Sequence, residues 1–237
     1  MSKKSKELEK EKEQNRVKAE EVIETMHKAE AFFLKNKNPL IYGLVGIVVV
    51  VGGLFAYREF VSKPKNKEAA AQMYKAQNHF AKDSFRLALY GDGTMDGAGF
   101  EQIAEEYGST DAGNLANFCA GVCCLQIGEY EKGIEFLERF KSDDEVLAPR
   151  ALANIGDCYV EIENYEQALK YFLKAAKLKE NNLAAKYLMK ATAIYEKNGN
   201  YAEALKLYQE IKTKYADSSE AQDVDKYIEH AKVLSAN

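Results

Sequence analysis

The sequence contains no tryptophan and only three prolines among its 237 residues. Because proline interrupts helices and central strands, its scarcity removes one of the main obstacles to long helices. Alanine, leucine, lysine and glutamate, which all favour helix, are abundant instead. The composition therefore predicts an all-α chain.

No segment carries the strong positive charge that is typical of nucleic-acid binding. Residues 1–38 carry ten Lys and Arg against eight Glu, a net +2, and residues 62–237 carry 22 against 28 acids, a net −6. The formal charge of the whole chain is −4. We interpret the mixed-charge tail as a solvated segment and expect no nucleic acid as a partner.

The four cysteines include no CxxC pair, and no histidine lies near them in sequence, which argues against a zinc site. They are Cys119, Cys123, Cys124 and Cys158. We predict that they are small, buried helix-packing residues. A disulfide between Cys124 and Cys158 is an alternative in an oxidising compartment, and the sequence leaves it open.

The sequence also lacks a catalytic or phosphate-binding arrangement. The glycine-rich stretch 91–99 has no Gly-Lys-Ser/Thr ending, and Asp92 and Asp96 do not have the spacing of a calcium loop. The histidines are scattered, with no triad partners beside them: His27, His79 and His230. We predict no catalytic residue, no metal, no cofactor and no small-molecule substrate, and interpret 91–99 as a flexible helix–helix connection.

One stretch carries no charge at all. Leu40 to Tyr57 is an 18-residue run rich in valine and glycine, which as a helix spans about 27 Å, close to the hydrocarbon thickness of a bilayer. It begins too far into the chain for a cleaved signal peptide, and it lacks the polar side of a buried core helix. The sequence predicts a transmembrane helix over 39–61 that contacts lipid through residues 40–57.

Three segments in the second half share one phrase at a regular interval. They are IGEYEKGIEFLERF (127–140), IENYEQALKYFLKA (162–175) and NGNYAEALKLYQEI (198–211). In each, a tyrosine precedes a small residue by three positions, and these small residues are 35 and 36 positions apart: Gly133, Ala168 and Ala204. A period near 34 residues indicates a repeated helix pair.

This pattern resembles the tetratricopeptide repeat, in which small residues let two helices approach and aromatic residues fill the space between them. Residues 149–182 match best, with Gly156 on the first helix and Phe172 on the second. Residues 114–147 and 185–218 match with more substitutions. The resemblance implies a helical-repeat array of the α-α superhelix type.

The predicted order of parts has five members. It runs from a charged cytoplasmic tail with an amphipathic helix (1–38) through the transmembrane helix (39–61), a linker helix with a degenerate first helix pair (62–113) and three repeats (114–218) to a capping helix (219–237). The amphipathic segment carries Val22, Ile23, Met26 and Phe33. Residues 66–90 are predicted as one helix with an apolar face: Met73, Ala76, Phe80 and Leu87. The predicted N-caps are Thr110 or Asp111 for the first repeat and Ser218 or Ser219 for the capping helix.

The resemblance also implies a protein-binding groove along the first helix of each repeat. Its positions are Leu115, Phe118, Val122 and Leu125; then Arg150, Ala153, Asp157 and Val160; then Lys186, Met189, Ala193 and Glu196. The first set is apolar and the later sets include charges, which suits an extended apolar segment of a protein. The alternative is that Phe118 and Val122 belong to the core against the preceding helices. Because Ala153 and Asp157 replace Lys and Asn of the carboxylate-clamp subfamily, we expect no clamp.

Tail, span and acidic repeats together resemble the bacterial family of YfgM, an ancillary subunit of the SecYEG translocon. The resemblance implies an inner-membrane protein with a cytoplasmic N-terminus, a periplasmic repeat domain, and translocon subunits, exported proteins or periplasmic chaperones as partners. Lys and Arg are nearly balanced on the two sides of the span, so charge alone does not set the orientation. The alternative is a scaffold with one fixed partner in envelope assembly or cell division, and the sequence does not give the oligomeric state.

Overall fold

The structure, a computed structural model, describes residues 16, 23–24, 26–28, 30, 34–94 and 97–236. It divides into two compact units, Met1–Val61 and Ser62–Asn237. In the predicted amphipathic segment, Ile23 and Met26 are helical and exposed, while Val22 and Phe33 lie outside the described residues.

Helix α1 of the first unit spans Lys37–Tyr57, and a π-helical stretch, Arg58–Ser62, follows it along the chain. The helical run that begins at Lys37 is long and apolar enough to cross a membrane, by length and composition, and no other described helix is. Its most apolar 18-residue window has a mean hydropathy of 2.3, and none of that window is buried. Large aliphatic and aromatic side chains of α1 are thus exposed, with Phe55 68% exposed.

The described residues of the second unit contain ten α-helices and no strand. Three precede the repeats: α2 (Lys63–Phe80), α3 (Phe85–Tyr90) and α4 (Phe100–Tyr107). Three pairs follow: α5 (Asp111–Ile127) with α6 (Tyr130–Arg139), α7 (Leu147–Glu161) with α8 (Tyr165–Leu178), and α9 (Leu183–Lys197) with α10 (Tyr201–Lys214). A 3-10 turn, Glu220–Asp223, leads to α11 (Val224–Ser235).

The helix ends follow from capping chemistry. The Thr110 hydroxyl accepts a hydrogen bond from the backbone N–H of Gly113 at 3.0 Å, so Thr110 is the N-cap of α5. Gly128, with φ of 83°, ends that helix in the left-handed conformation that glycine adopts without strain. The Ser218 hydroxyl accepts from the N–H of Ala221 at 3.2 Å, at the start of the C-terminal helical segment.

The prediction of a single helix over 66–90 is wrong. Helix α2 ends at Phe80 and α3 begins at Phe85, because Asp83 adopts a φ of 54° and thereby turns the chain. The rings of Phe80 and Phe85 then pack edge to face, 5.4 Å apart. This turn leaves Leu87 44% exposed. The other predicted members of its apolar face are buried or half-buried: Met73, Ala76 and Phe80.

The two helices of a pair approach closely where a small residue faces a large one. A Cβ on Gly156 would lie 2.6 Å from a ring carbon of Phe172, and a Cβ on Gly121 would lie 2.4 Å from Cγ of Leu137. In the third pair, the equivalent position holds the fully buried Thr192. Its hydroxyl donates a hydrogen bond to the backbone carbonyl of Met189 in the same helix. Small side chains therefore set the separation of the paired helices.

Contacts between successive pairs join residues about one repeat apart in sequence. They are Tyr171 to Glu138 (2.8 Å), Asn181 to the carbonyl of Glu145 (3.1 Å), Lys190 to Asp157 (2.6 Å) and Lys214 to Glu180 (3.1 Å). The first residue of each is the donor, and the sequence separations are 33, 36, 33 and 34. The same register therefore applies at both junctions between repeats.

Lys132 links the first pair to the helices before it. Its Nζ lies 2.7 Å from a carboxylate oxygen of Glu101, donates to the Tyr90 hydroxyl at 3.2 Å and sits 4.6 Å from the centre of that ring. Partial burial lowers the pKa of Lys132, but hydrogen bonds to Glu101 and Tyr90 outweigh burial, so the net shift is upward. The ammonium therefore stays protonated at the junction.

Substitution of Gly156 tests the close approach within a pair. We expect Gly156→Val to lower the free energy of unfolding by about 2 kcal/mol, because the added methyl groups overlap the buried Phe172 ring. The control is Ala193→Val, which places the same side chain on an exposed position of α9 and is expected to cost about 0.5 kcal/mol. Urea unfolding of the full chain in detergent measures both. Equal midpoints for the two variants would contradict the packing described.

Candidate protein-binding surface

The first helices of the three pairs, α5, α7 and α9, carry the predicted groove positions. Helix α5 packs against α7, and α7 reaches α9 through the contact between Asp157 and Lys190. The predicted residues thus lie on three helices that follow one another along the array.

Two of the predicted groove residues are core residues. Phe118 is 8% exposed and Ala153 is 2% exposed. Phe118 belongs to a cluster with Ile155 of the next repeat, and its ring lies 5.2 Å from that of Phe140. It therefore packs against the helices that follow it. Neither side chain offers surface to a partner.

Apart from Ala193, which is exposed, the remaining apolar positions are half-buried, so each contributes both to the core and to the surface. Those of α5 pack against the cluster that contains Phe118: Leu115, Val122 and Leu125. Those of α7 and α9 pack against the next cluster: Val160 and Met189. The apolar character predicted for this face is thus present, although less of it is accessible than the spacing alone indicates.

The charged positions lie on α7 and α9. Arg150 and Lys186 are exposed. Asp157 accepts two hydrogen bonds from Nζ of Lys190, at 2.5 and 2.6 Å, with both side chains about 70% buried. Glu196 accepts from the hydroxyl of Tyr208 at 3.1 Å. Asp157 and Glu196 are therefore already engaged, and Arg150 and Lys186 are the more accessible charges.

Two charged residues of α7, Arg150 and Asp157, affect the pKa of Tyr187 of α9. Burial raises the pKa of its hydroxyl, the nearby Arg150 lowers it, and Asp157 raises it. Lys190 also lies 5.4 Å from the ring of Phe172. These interactions make the junction between α7 and α9 a polar one, in contrast to the apolar junction between α5 and α7.

Sequence reasoning missed Asn154. Its side-chain Nδ2 is buried and, among the described residues, has no hydrogen-bond partner. Lys190 follows Asn154 by 36 residues, and Asp157 follows Val122 by 35. Asp157 of α7 and Lys190 of α9 form an ion pair. The equivalent positions on α5 and α7 are Val122 and Asn154, which form no ion pair. A buried donor without an acceptor costs about 1–3 kcal/mol of stability. The signal that could have identified Asn154 is the comparison of the two junctions, aligned one repeat apart.

The cysteines are free thiols. Burial raises the pKa of Cys119, Cys124 and Cys158 to about 12 and also raises that of Cys123. Cys124 and Cys158 border the same residue, since a Cβ on Gly133 would lie 3.2 Å from Cβ of Cys124 and 3.3 Å from Sγ of Cys158. These side chains pack between helices, and they are poorly ionised at neutral pH.

We expect the native chain to react with a thiol reagent such as DTNB at least about 100-fold more slowly at pH 8 than the unfolded chain, because the thiolate is the reactive form. A thiol held neutral in the fold ionises in the unfolded chain above a pH of about 8.5. Ionisation of the thiols therefore favours the unfolded chain, and the free energy of unfolding falls as the pH rises above that value. DTNB titration and urea midpoints between pH 7 and 10 measure both effects. Fast native labelling, or fewer than four thiols after unfolding without reductant, would contradict this account.

The glycine-rich stretch connects α3 to α4, and its residues 95 and 96 lie outside the described residues. Asp92 accepts hydrogen bonds from the N–H and the hydroxyl of Thr94, at 3.0 and 2.6 Å. These bonds lower the pKa of its carboxyl. His79 Nε2 lies 3.8 Å from the other carboxylate oxygen. Over the described part of the chain, no group of three or more potential metal ligands is present.

Comparisons with known proteins agree with the repeats. Residues 149–182 and 186–218 match profiles of the tetratricopeptide repeat, which confirms two of the three predicted repeats to within one residue. No curated protein sequence matches the chain.

One similar solved structure is a crystal structure of nearly identical TPR-like repeats from a Podospora anserina protein named as a kinesin light chain. The two chains are 12% identical, with a TM-score of 0.48, over 73% of this chain and 86% of that one. From the helix pairs and the two profile matches, we conclude that the chain has an all-α fold with tetratricopeptide-like repeats, a type of module that binds other proteins.

Proposed function

We propose that this chain is a membrane-anchored, non-enzymatic adaptor that presents its helix pairs to other proteins. The observation that carries the proposal is the combination of α1 with the repeats. Helix α1 exposes large apolar side chains at positions from Ile41 to Tyr57, which is unfavourable in water at about 25 cal/mol per Å². In a bilayer the same surface is favourable, and the helix satisfies its own backbone groups.

The accessible face of α5, α7 and α9 supports an extended, partly apolar protein segment as the ligand. Leu115, Val122 and Leu125 offer half-buried apolar surface at one end, and Arg150 and Lys186 offer charge at the other.

The partners that we propose follow from the resemblance to the YfgM family. They are subunits of the Sec translocon, exported proteins or periplasmic chaperones, with the tail in the cytoplasm, α1 in the bacterial inner membrane and the repeats in the periplasm. The candidate of a different class is a scaffold for envelope assembly or cell division. Helical repeats serve both functions, because each presents a long protein-binding surface.

Membrane topology is the first test. We expect the chain to resist extraction with alkaline carbonate, and a periplasm-dependent reporter fused after Asn237 to be active. Replacement of Val49 and Val50 by Lys, which inserts two charges into α1 at about 2.5–3.5 kcal/mol each, is expected to release the chain from membranes. Extraction of the unaltered chain by salt alone would contradict the anchor, and an active cytoplasmic reporter would contradict the orientation.

Photocrosslinking separates the two candidate functions. A photoreactive side chain at Arg150 or Lys186 is expected to capture translocon components and many exported proteins, with yields that rise under secretion load. Position Gln209, exposed on α10, is the control and should capture few. One product of constant yield would favour the scaffold. The absence of both translocon components and exported proteins would exclude the proposed translocon role.

Asn154→Leu tests the role of the unpaired amide. We expect the variant to unfold at higher urea, by about 1 kcal/mol, because an unsatisfied buried donor is removed. The same variant should leave the crosslinks from Arg150 unchanged, because the buried Nδ2 offers no surface to a ligand. Gln209→Leu, on the exposed surface, should change neither quantity. Loss of stability in Asn154→Leu would contradict the description of this amide as an unsatisfied buried donor.

A further inference from the structure

A cavity of about 560 Å³ opens between α6, α7 and α8. Its apolar lining includes Leu152 and Ile155 of α7 and, on the walls, Phe140 and the 43% exposed Leu178. None of the predicted groove positions on α5, α7 and α9 lines it. We refer to this cavity as the α6–α8 trough.

The trough exists because α6 is short. Helix α6 has ten residues, whereas α8 and α10 have fourteen each. After Arg139 the chain leaves the helix with Phe140 in an extended conformation (φ −67°, ψ 131°), and the ring of Phe140 packs on Phe118. Helix α6 therefore lacks the last turn that α8 forms with Ala175–Leu178.

The next junction shows what such a turn does. In α8, Ala175 and Ala176 are 1% and 3% exposed. Leu188 of α9, which lies 36 residues after Leu152, is 3% exposed, while Leu152 is half-buried. The cavity between α8, α9 and α10 is accordingly smaller, about 310 Å³. One helical turn of small and aliphatic residues thus fills this position where the chain supplies it.

The two junctions also differ in the charges that line their cavities. Lys177 and Glu210, of opposite sign, line the smaller cavity. The positions 36 residues earlier are Lys141 and Lys174, which are both exposed and both line the trough. Glu138 at the rim already accepts a hydrogen bond from Tyr171 at 2.8 Å, and Asp143 lies on the loop side. The trough therefore carries two lysines at the positions where the smaller cavity carries a lysine and an acid, and the other two charges of the smaller cavity, Glu180 and Lys214, pair with each other at 3.1 Å.

We propose that the α6–α8 trough binds one turn of an amphipathic helix from a partner protein. The turn places small and aliphatic side chains on Leu152 and an acidic side chain near Lys141 and Lys174. It takes the place of the turn that α6 lacks. This surface is distinct from the groove of the proposed function, and because the contact is smaller than a standard interface it gives weak affinity on its own.

A peptide that copies α8 tests the proposal directly. The probe is the fourteen-residue sequence Tyr165–Leu178 with the change Lys177→Glu, which supplies the acidic residue. It is titrated into the full chain in lipid nanodiscs, with Leu and Ile methyl groups labelled for NMR. The methyl signals of Leu152 and Ile155 are expected to shift, while those of Leu188, in the filled junction, serve as the matched control and should not. Equal shifts at Leu188, or no shift at Leu152, would overturn the proposal.

A charge exchange tests the orientation. The unmodified α8 peptide, which keeps Lys177, is expected to bind about 2- to 5-fold more weakly than the probe, the range for a partly exposed ion pair. Lys174→Glu in the chain should reverse this preference, and Lys170→Glu, exposed on the same helix outside the trough, should not. Unchanged preference in Lys174→Glu would overturn the assignment of charges. Decanoate, a free acyl chain, is titrated in the same way. If it produces the same shifts and displaces the peptide, the trough binds acyl chains and the proposal of a helical ligand is overturned.

Discussion

The close approach of the two helices in each pair is the constraint from which the rest of the second unit follows. At Gly156 there is no room for a Cβ beside the Phe172 ring, and at Gly121 there is none beside Leu137. Once the helices are this close, the aromatic and aliphatic side chains of the second helix are directed onto the first helix of the next pair. The contacts at intervals of 33 to 36 residues then repeat at each junction.

The positions that form this constraint were predictable, because they combine residue type with spacing. Small residues 35 and 36 positions apart located the pairs, and the N-cap of α5 was predicted to within one residue, as Thr110 or Asp111. The break at Asp83 was not predictable in the same way. Residues 66–90 keep helical periodicity through the break, and nothing in that pattern shows that Asp83 adopts a positive φ.

The binding face was predicted in outline only. Spacing along one helix shows which side chains share a face, but it does not show which neighbouring helix covers that face. Phe118 is therefore buried by later helices, although its position resembled that of a groove residue. Asn154 was missed because nothing about a single asparagine on a first helix indicates an unpaired amide. Its significance follows only from comparison with Lys190, which forms an ion pair at the equivalent position.

The spacing of the contacts between pairs also bears on how the chain folds. Contacts that span about one repeat keep the mean sequence separation of touching residues low, and low contact order is associated with fast folding. Each pair depends chiefly on its immediate neighbours, so a pair is able to form before later pairs have been synthesised. A chain tethered near its N-terminus would therefore acquire its repeats in order, outward from the tether, without waiting for α11.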